Sequence, residues 1–167
     1  MLAIMEGKKQ GLRAVRVLLS DVRSAHNVGA LFRTAEAVGV CEIILAGYTP
    51  TPVDRFGRLR TDIAKAALGA HISVPWRHVS HAHDEIARLK EKGIQSVVLE
   101  QTAHSISYTD YVLQSDIVLV VGNEVEGVPR EVCDMADVCI EIPMSGTKES
   151  LNVTTAAGVV LFSLRDR

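Results

Sequence analysis

The sequence predicts an α/β fold with a mainly parallel sheet and helices on both faces. Short apolar runs alternate with segments of helical periodicity along the whole chain. The run at residues 116–122 is almost continuously apolar, as in a strand that helices cover on both faces. Strands and helices follow one another in turn, and this order is typical of a parallel sheet.

The elements follow from apolar periodicity and from the residues that stop it. Strands are predicted at residues 15–22, 41–47, 96–100, 116–122 and 138–142. Helices are predicted at residues 27–38, 61–68, 84–92, 130–135 and 150–164, with Gly39 and Gly93 ending two of them. Residues 48–60, rich in Pro, Thr and Arg, are predicted to form a loop. Without a repeat or linker, residues 1–167 are interpreted as a single domain.

Composition limits the classes of function. The chain has 167 residues, of which 47% are hydrophobic, so it can fill a core of its own. Only 4% are aromatic, which argues against a single-strand binder that stacks bases on an aromatic platform. The net charge of −2 gives no overall attraction to a polyanion, so any contact with nucleic acid must use a local basic patch.

The location is expected to be cytoplasmic. Cys41, Cys133 and Cys139 lie far apart without a CxxC pair and are interpreted as reduced thiols. The apolar residues 1–5 precede their charges, unlike a signal peptide, and no apolar run reaches the length of a membrane helix.

Three segments contain residues that indicate a function in addition to their part in the fold. In NVGALFRTAEAVG, Val28, Leu31, Phe32, Ala35 and Val38 form a buried stripe on a helical wheel. Arg33 falls on the opposite side among Gly29, Ala30 and Ala37, so a ligand could approach it closely; a solvated surface Arg is the alternative.

The other two segments follow strands. GNEVEG comes directly after an apolar strand, where glycines let backbone amides approach a ligand, although a tight turn explains them equally well. IPMSGTKESLNV enters the last helix, with Ser150 and Asn152 expected in its first turn; for Ser150, a simple helix cap is the alternative. Neither GxGxxG nor GxxxxGK[ST] occurs, which removes the usual support for dinucleotide or P-loop binding.

In this order, NVGALFRTAEAVG, VVGNEVEG and IPMSGTKESLNV resemble the three motifs of SpoU-type (TrmH-like) RNA 2'-O-ribose methyltransferases of the SPOUT superfamily. ALGAHISVPW resembles the family more loosely. The resemblance implies an α/β domain with a C-terminal deep trefoil knot, a homodimer, and methyl transfer from S-adenosylmethionine to a ribose hydroxyl without a metal. About a dozen residues precede the first strand, so the chain is interpreted as a minimal catalytic domain.

Motif matching also implies the site residues. The methyl-donor pocket is expected at Glu100, Gln101, Gly122, Ile142, Ser150 and Leu151, and the polar catalytic positions at Asn27, Arg33, Glu124 and Asn152. The guanidinium of an arginine is a poor base, so we expect Arg33 to bind a phosphate or a developing alkoxide. The product would be S-adenosylhomocysteine.

Arg55, Arg58 and Arg60 are the candidate RNA-binding patch, in a loop with few expected turn constraints; a solvated loop is the alternative. Transfer RNA is preferred over ribosomal RNA, because a minimal domain can hold a compact stem-loop. Two rival functions are an RNA-binding or assembly factor without catalysis and methylation of a base nitrogen. A zinc site at His78, His81 and His83 is disfavoured, since no cysteine lies nearby.

Overall fold

The computed structural model describes residues 13–165, and all elements named here lie in that part of the chain. The strands are β1 (Val15–Ser20), β2 (Glu42–Ala46), β3 (Trp76–Val79), β4 (Gln95–Leu99), β5 (Ile106–Ser107), β6 (Ile117–Val121) and β7 (Val138–Glu141). The helices are α1 (Ala25–Val38), α2 (Thr61–Ala67), α3 (Ala70–Ser73), α4 (Ala82–Glu91), α5 (Arg130–Met135) and α6 (Val153–Arg165).

The strands form one sheet in the order β3-β2-β1-β6-β4-β7-β5, and every pair of neighbours in it is parallel. Alternate residues of the central strand β6 enter two different cores. Ile117, Leu119 and Val121 pack with α1, α2, α3 and α6, while Val118 and Val120 pack with α4 and α5. The predicted mainly parallel sheet with helices on both faces is therefore confirmed.

Several element ends differ from the prediction for local reasons. β1 stops at Ser20 because Asp21 has a φ of 55°, in the left-handed region that ends a strand. α1 begins at Ala25, since the hydroxyl of Ser24 accepts a hydrogen bond from the Asn27 N–H. α6 begins at Val153, three residues later than predicted, because Asn152 caps it.

Three short elements were not predicted, namely the half-buried edge strand β3, the one-turn helix α3 and the two-residue strand β5. Elements of two to four residues are at or below the shortest length over which apolar periodicity gives a signal, so the sequence pattern did not reveal them.

The order of the strands brings distant segments to one edge of the sheet. β4 comes before β6 in the sequence, but in the sheet β6 lies between β1 and β4. β7 then enters between β4 and β5, so β6, β4 and β7 are neighbours. Since the strands are parallel, the loops after these three strands meet at one edge. The deep trefoil knot stays a prediction of the resemblance.

No helix within residues 13–165 has the length and apolar character that crossing a membrane requires. Residues 1–5, on which the expectation of no signal peptide rests, lie outside the described residues.

Candidate functional site

A cavity of about 520 Å³ lies at the carboxyl ends of β4, β6 and β7. We call it the strand-end cavity. Its wall includes all six positions expected to hold the methyl donor: Glu100, Gln101, Gly122, Ile142, Ser150 and Leu151. Glu124 and Asn152, two of the expected catalytic positions, also line it. The fold thus brings the second and third motifs together around one space.

Two glycines make the turn after β6 possible. The backbone of Asn123 exchanges two hydrogen bonds of 3.0 Å with Gly127. A Cβ on Gly122 would lie 2.3 Å from the carbonyl carbon and oxygen of Gly127, so only glycine allows this approach. Gly127 has a φ of +70°, and a Cβ there would lie 2.2 Å from a carboxylate oxygen of Glu100.

Glu100, which was expected to contact the donor, is hydrogen-bonded to backbone groups of the loops around the strand-end cavity. One of its carboxylate oxygens accepts a hydrogen bond from the Val128 N–H at 2.8 Å, and the other accepts one from the Gln101 N–H at 2.9 Å. The side-chain amide of Gln101 donates to the Glu149 carbonyl at 2.9 Å. These bonds join the loops after β4, β6 and β7 into one wall.

Glu124 connects the second motif to the first. Its carboxylate accepts hydrogen bonds from the N–H groups of Arg23 and Ser24, at 3.0 and 3.1 Å, and from the Asn27 side-chain amide at 2.8 Å. Partial burial would raise the pKa of Glu124, but these donors outweigh it and hold the pKa below its usual value. The carboxylate therefore stays ionised at the start of α1, where the helix dipole favours negative charge.

Asn27 and Asn152 complete this network. The side-chain oxygen Oδ1 of Asn27 accepts a hydrogen bond of 3.4 Å from the Asn152 side-chain amide. The Asn152 oxygen accepts from the Thr154 N–H at 2.9 Å and so caps α6, a role that the sequence had offered to Ser150 instead. One side chain from each motif, Asn27, Glu124 and Asn152, thus forms a continuous hydrogen-bonded chain beside the cavity.

Comparison with known proteins identifies the family of this chain. The sequence profile described as "SpoU rRNA Methylase family" matches residues 14–162. The chain belongs to this family.

Two similar relatives and one solved structure illustrate the match. The chain is 34% identical over 149 residues to the 23S rRNA (guanosine-2'-O-)-methyltransferase RlmB of Neisseria meningitidis serogroup B, covering 89% of the chain and 57% of the relative. It is 34% identical over 156 residues to a putative TrmH family tRNA/rRNA methyltransferase of Staphylococcus haemolyticus, covering 93% and 59%. The chain therefore spans less than two thirds of the length of these relatives.

The solved structure is an AdoMet bound rRNA methyltransferase from Sinorhizobium meliloti. Its TM-score with this chain is 0.83 at 31% identity, and the match covers 92% of this chain and 56% of that one.

Arg33, the cation of the first SpoU motif, does not line the strand-end cavity. It is exposed on α1 and lines a separate cavity of about 640 Å³ with His26, Lys65 and Phe162. Ala30 and Ala37 also line this cavity, so small side chains do leave Arg33 approachable. The expectation for Gly29 was wrong, because this glycine is buried against α2, where a Cβ would lie 2.6 Å from Ala66.

The loop with Arg55, Arg58 and Arg60 is more constrained than predicted. Asp54 accepts hydrogen bonds from the N–H groups of Phe56 and Arg58, at 2.8 and 2.9 Å, and the Arg58 N–H chiefly holds the pKa of Asp54 below its usual range. Arg58 forms an ion pair with Asp54 at 2.8 Å, and Arg60 forms one with Asp62 at 2.9 Å. None of the three arginines lines the strand-end cavity.

The histidines of the disfavoured zinc site have other contacts. The rings of His81 and His83 stack with their centroids 5.3 Å apart, and a ring nitrogen of His78 lies 2.9 Å from the Gly47 carbonyl oxygen. Within residues 13–165, no group of three or more His, Cys, Asp or Glu side chains could hold a metal ion.

Asn123 is the site residue that sequence reasoning missed. Its side-chain amide donates to the Asp21 carbonyl at 2.9 Å, and its oxygen accepts from the Val125 and Glu126 N–H groups. Asparagine commonly bonds to backbone two residues on in turns, so its position after a strand-ending glycine was the available signal.

Proposed function

We propose that this chain transfers the methyl group of S-adenosylmethionine to a ribose 2'-hydroxyl of RNA. The observation that carries the proposal is the convergence of all six expected donor positions, with Glu124 and Asn152, on the strand-end cavity. Membership of the SpoU family and the names of the relatives support the reaction type. Because the chain spans only part of those relatives, activity has to be measured on this chain itself.

The chemistry of the cavity fits a cationic methyl donor. Its lining contains five glutamates (Glu100, Glu124, Glu126, Glu141 and Glu149) and neither lysine nor arginine. A phosphate-bearing cofactor would meet only like charge here, whereas a sulfonium is attracted. Leu99, Val121, Ile142 and Leu151 provide apolar surface beside these carboxylates. When bound, the donor supplies an electrophilic methyl group, so the reaction needs no metal.

The chain's own residues would position the donor and the ribose. Gly122 permits the close turn that forms part of the cavity wall, because any Cβ at this position would collide with the Gly127 backbone. The Glu124–Asn27–Asn152 chain fixes α1 against the donor loops, so a nucleotide held at α1 keeps its orientation to the donor. Arg33 would bind a phosphate or the developing alkoxide of the attacking oxygen.

The position of Arg33 supports a homodimer. Arg33 opens into a cavity away from its own strand-end cavity, with the partly exposed ring of Phe162 beside it. Val159 and Phe162 of α6 are 39% and 47% exposed, an apolar surface on a helix that is otherwise packed against α1. A second copy that covers this face would bring its Arg33 toward the first copy's site. Light scattering should report a dimer, and Phe162→Glu should shift it to monomer; a monomeric parent protein would refute the dimer.

Labelled methyl transfer to total RNA, followed by nucleoside mapping, tests the proposal. A 2'-O-methylated nucleoside is expected, and separate tRNA and rRNA fractions identify the substrate class. A methylated base nitrogen would show the wrong reaction, and donor binding without transfer to any fraction would favour a binding factor.

Arg33→Ala should remove transfer while S-adenosylmethionine, measured by calorimetry, still binds at one site per chain. Arg130→Ala is the matched control, since Arg130 is 92% exposed and outside both cavities. Failure of folded protein to bind either S-adenosylmethionine or S-adenosylhomocysteine would reject the enzyme.

A further inference from the structure

A third cavity, of about 310 Å³, lies at the carboxyl ends of β1, β2 and β3. We call it the β1–β3 cavity. Its wall is formed by Ser20, Asp21, Gly47, Tyr48, Ser80, His81, Ala82, His83, Pro129, Glu131 and Val132. None of these residues belongs to the wall of the strand-end cavity. Its volume is at the lower end of the range for small-molecule sites.

The wall of this cavity includes a residue whose hydroxyl has no hydrogen-bond partner among the described residues. This residue is Ser20, which is fully buried. An unmade hydrogen bond at a buried hydroxyl costs free energy, so native structures rarely keep one. α4 begins beside it without a side-chain cap, which leaves the N–H groups of Ala82 and His83 as further donors. The cavity therefore offers unused hydrogen-bonding groups.

The rim offers aromatic surface and negative charge. Tyr48 is 89% exposed although it is anchored, since its N–H donates to Asp21 at 2.9 Å. His81 and His83, whose rings stack, also line the cavity, and His83 lies 3.8 Å from a carboxylate oxygen of Glu131. Carboxylates at Asp21 and Glu131 repel a phosphate but accept hydrogen bonds from an uncharged donor.

A flat, neutral ligand with both donors and acceptors suits all these groups. A nucleobase with an exocyclic amino group has an aromatic face for Tyr48, donors for the carboxylates and acceptors for the N–H groups of α4. The cavity is also close to the proposed reaction site, because the Asp21 carbonyl accepts a hydrogen bond from Asn123, which lines the strand-end cavity.

We infer that the β1–β3 cavity binds an amino-bearing base of the RNA, next to the nucleotide whose ribose is methylated. The link to methylation rests on the proposed function, but binding of a base in this cavity can be measured without any methyl transfer.

Amide NMR shifts of the whole chain, titrated into the millimolar range with nucleosides, test the inference. Adenosine and cytidine should give saturable shifts at Tyr48, Ala82 and His83, and uridine, which has no amino group, should bind more weakly. Ribose 5-phosphate and inorganic phosphate should leave these amides unchanged. Equal shifts with phosphate alone, or no saturable shift at these amides, would overturn the inference.

Two substitutions separate this cavity from the donor site. Tyr48→Ala should weaken nucleoside binding about 5-fold or more, the loss expected for one stacking ring. Ser20→Ala should weaken it about 2- to 10-fold through one hydrogen bond. Ile72→Ala is the control, because Ile72 is 81% exposed and outside this cavity. Unchanged binding in both variants would reject the site. The affinity of both variants for S-adenosylmethionine should equal that of the parent protein, and this measurement tests the proposed function separately.

Discussion

Glu124→Gln tests whether the carboxylate that joins the first and second motifs stabilises the fold. The carboxylate accepts three hydrogen bonds, two from backbone N–H groups and one from Asn27. Glutamine keeps only one acceptor oxygen, so at least one of these donors loses its partner and the others lose the help of the charge. A hydrogen bond to a charged group contributes about 1.5–3 kcal/mol. Because the residue is exposed and water can replace part of this bonding, we expect a loss of about 1–2 kcal/mol.

The pH dependence gives an independent check on this reasoning. The folded-state pKa of Glu124 is lowered, so its ionised form contributes stability above the unfolded value of about 4.3. This contribution is lost as the pH falls through the lower folded value. The difference in stability between parent and variant should therefore be full at neutral pH and shrink in acid.

Thermal and denaturant unfolding measure this change directly. A loss of about 1–2 kcal/mol lowers the melting temperature of a chain of this size by about 2–8 °C. Glu36→Gln removes a charge from the last turn of the same helix, at an exposed position, and should not reproduce the effect. If Glu124→Gln matches the parent at neutral pH, or if its deficit grows in acid, the role assigned to this carboxylate is wrong.

Two further predictions concern the cavity wall and the basic loop. Gly127→Ala should cost about 2–4 kcal/mol and abolish donor binding, because Gly127 has a positive φ and its Cβ would displace Glu100; chemical denaturation measures the loss. Gly146→Ala, with open space around its Cβ, should be near neutral, and an equal effect of both changes would contradict the steric argument. Replacing Arg58 and Arg60 with Ala should flatten the slope of log RNA affinity against log salt by about 1.4 if both contact phosphates. An unchanged slope would show that their ion pairs with the neighbouring carboxylates are their whole role.

Local sequence patterns were sufficient to predict many of the elements of this protein and their buried faces. The buried stripe of α1 is confirmed at Val28, Leu31, Phe32 and Ala35, because helical periodicity records which face meets the core. The hydrogen bonds that constrain the loop around Arg58 also have a local sequence signal, which the prediction of a weakly constrained loop did not use. Asp54 lies four residues before Arg58, a spacing at which a carboxylate can bond to both the backbone and the guanidinium.

The sequence by itself determined the class of fold, the order of its main elements and the three motifs, since each depends on residues close together in the chain. Only the tertiary structure decided that β6 lies between β1 and β4, and that Glu124 and Asn152 meet Asn27 across 97 and 125 residues. It also decided that Arg33 lines a cavity other than the strand-end cavity, and that Ser20 lines the β1–β3 cavity. These contacts depend on the pairing of strands far apart in sequence, and apolar periodicity records which face of a strand is buried but not which strand lies beside it.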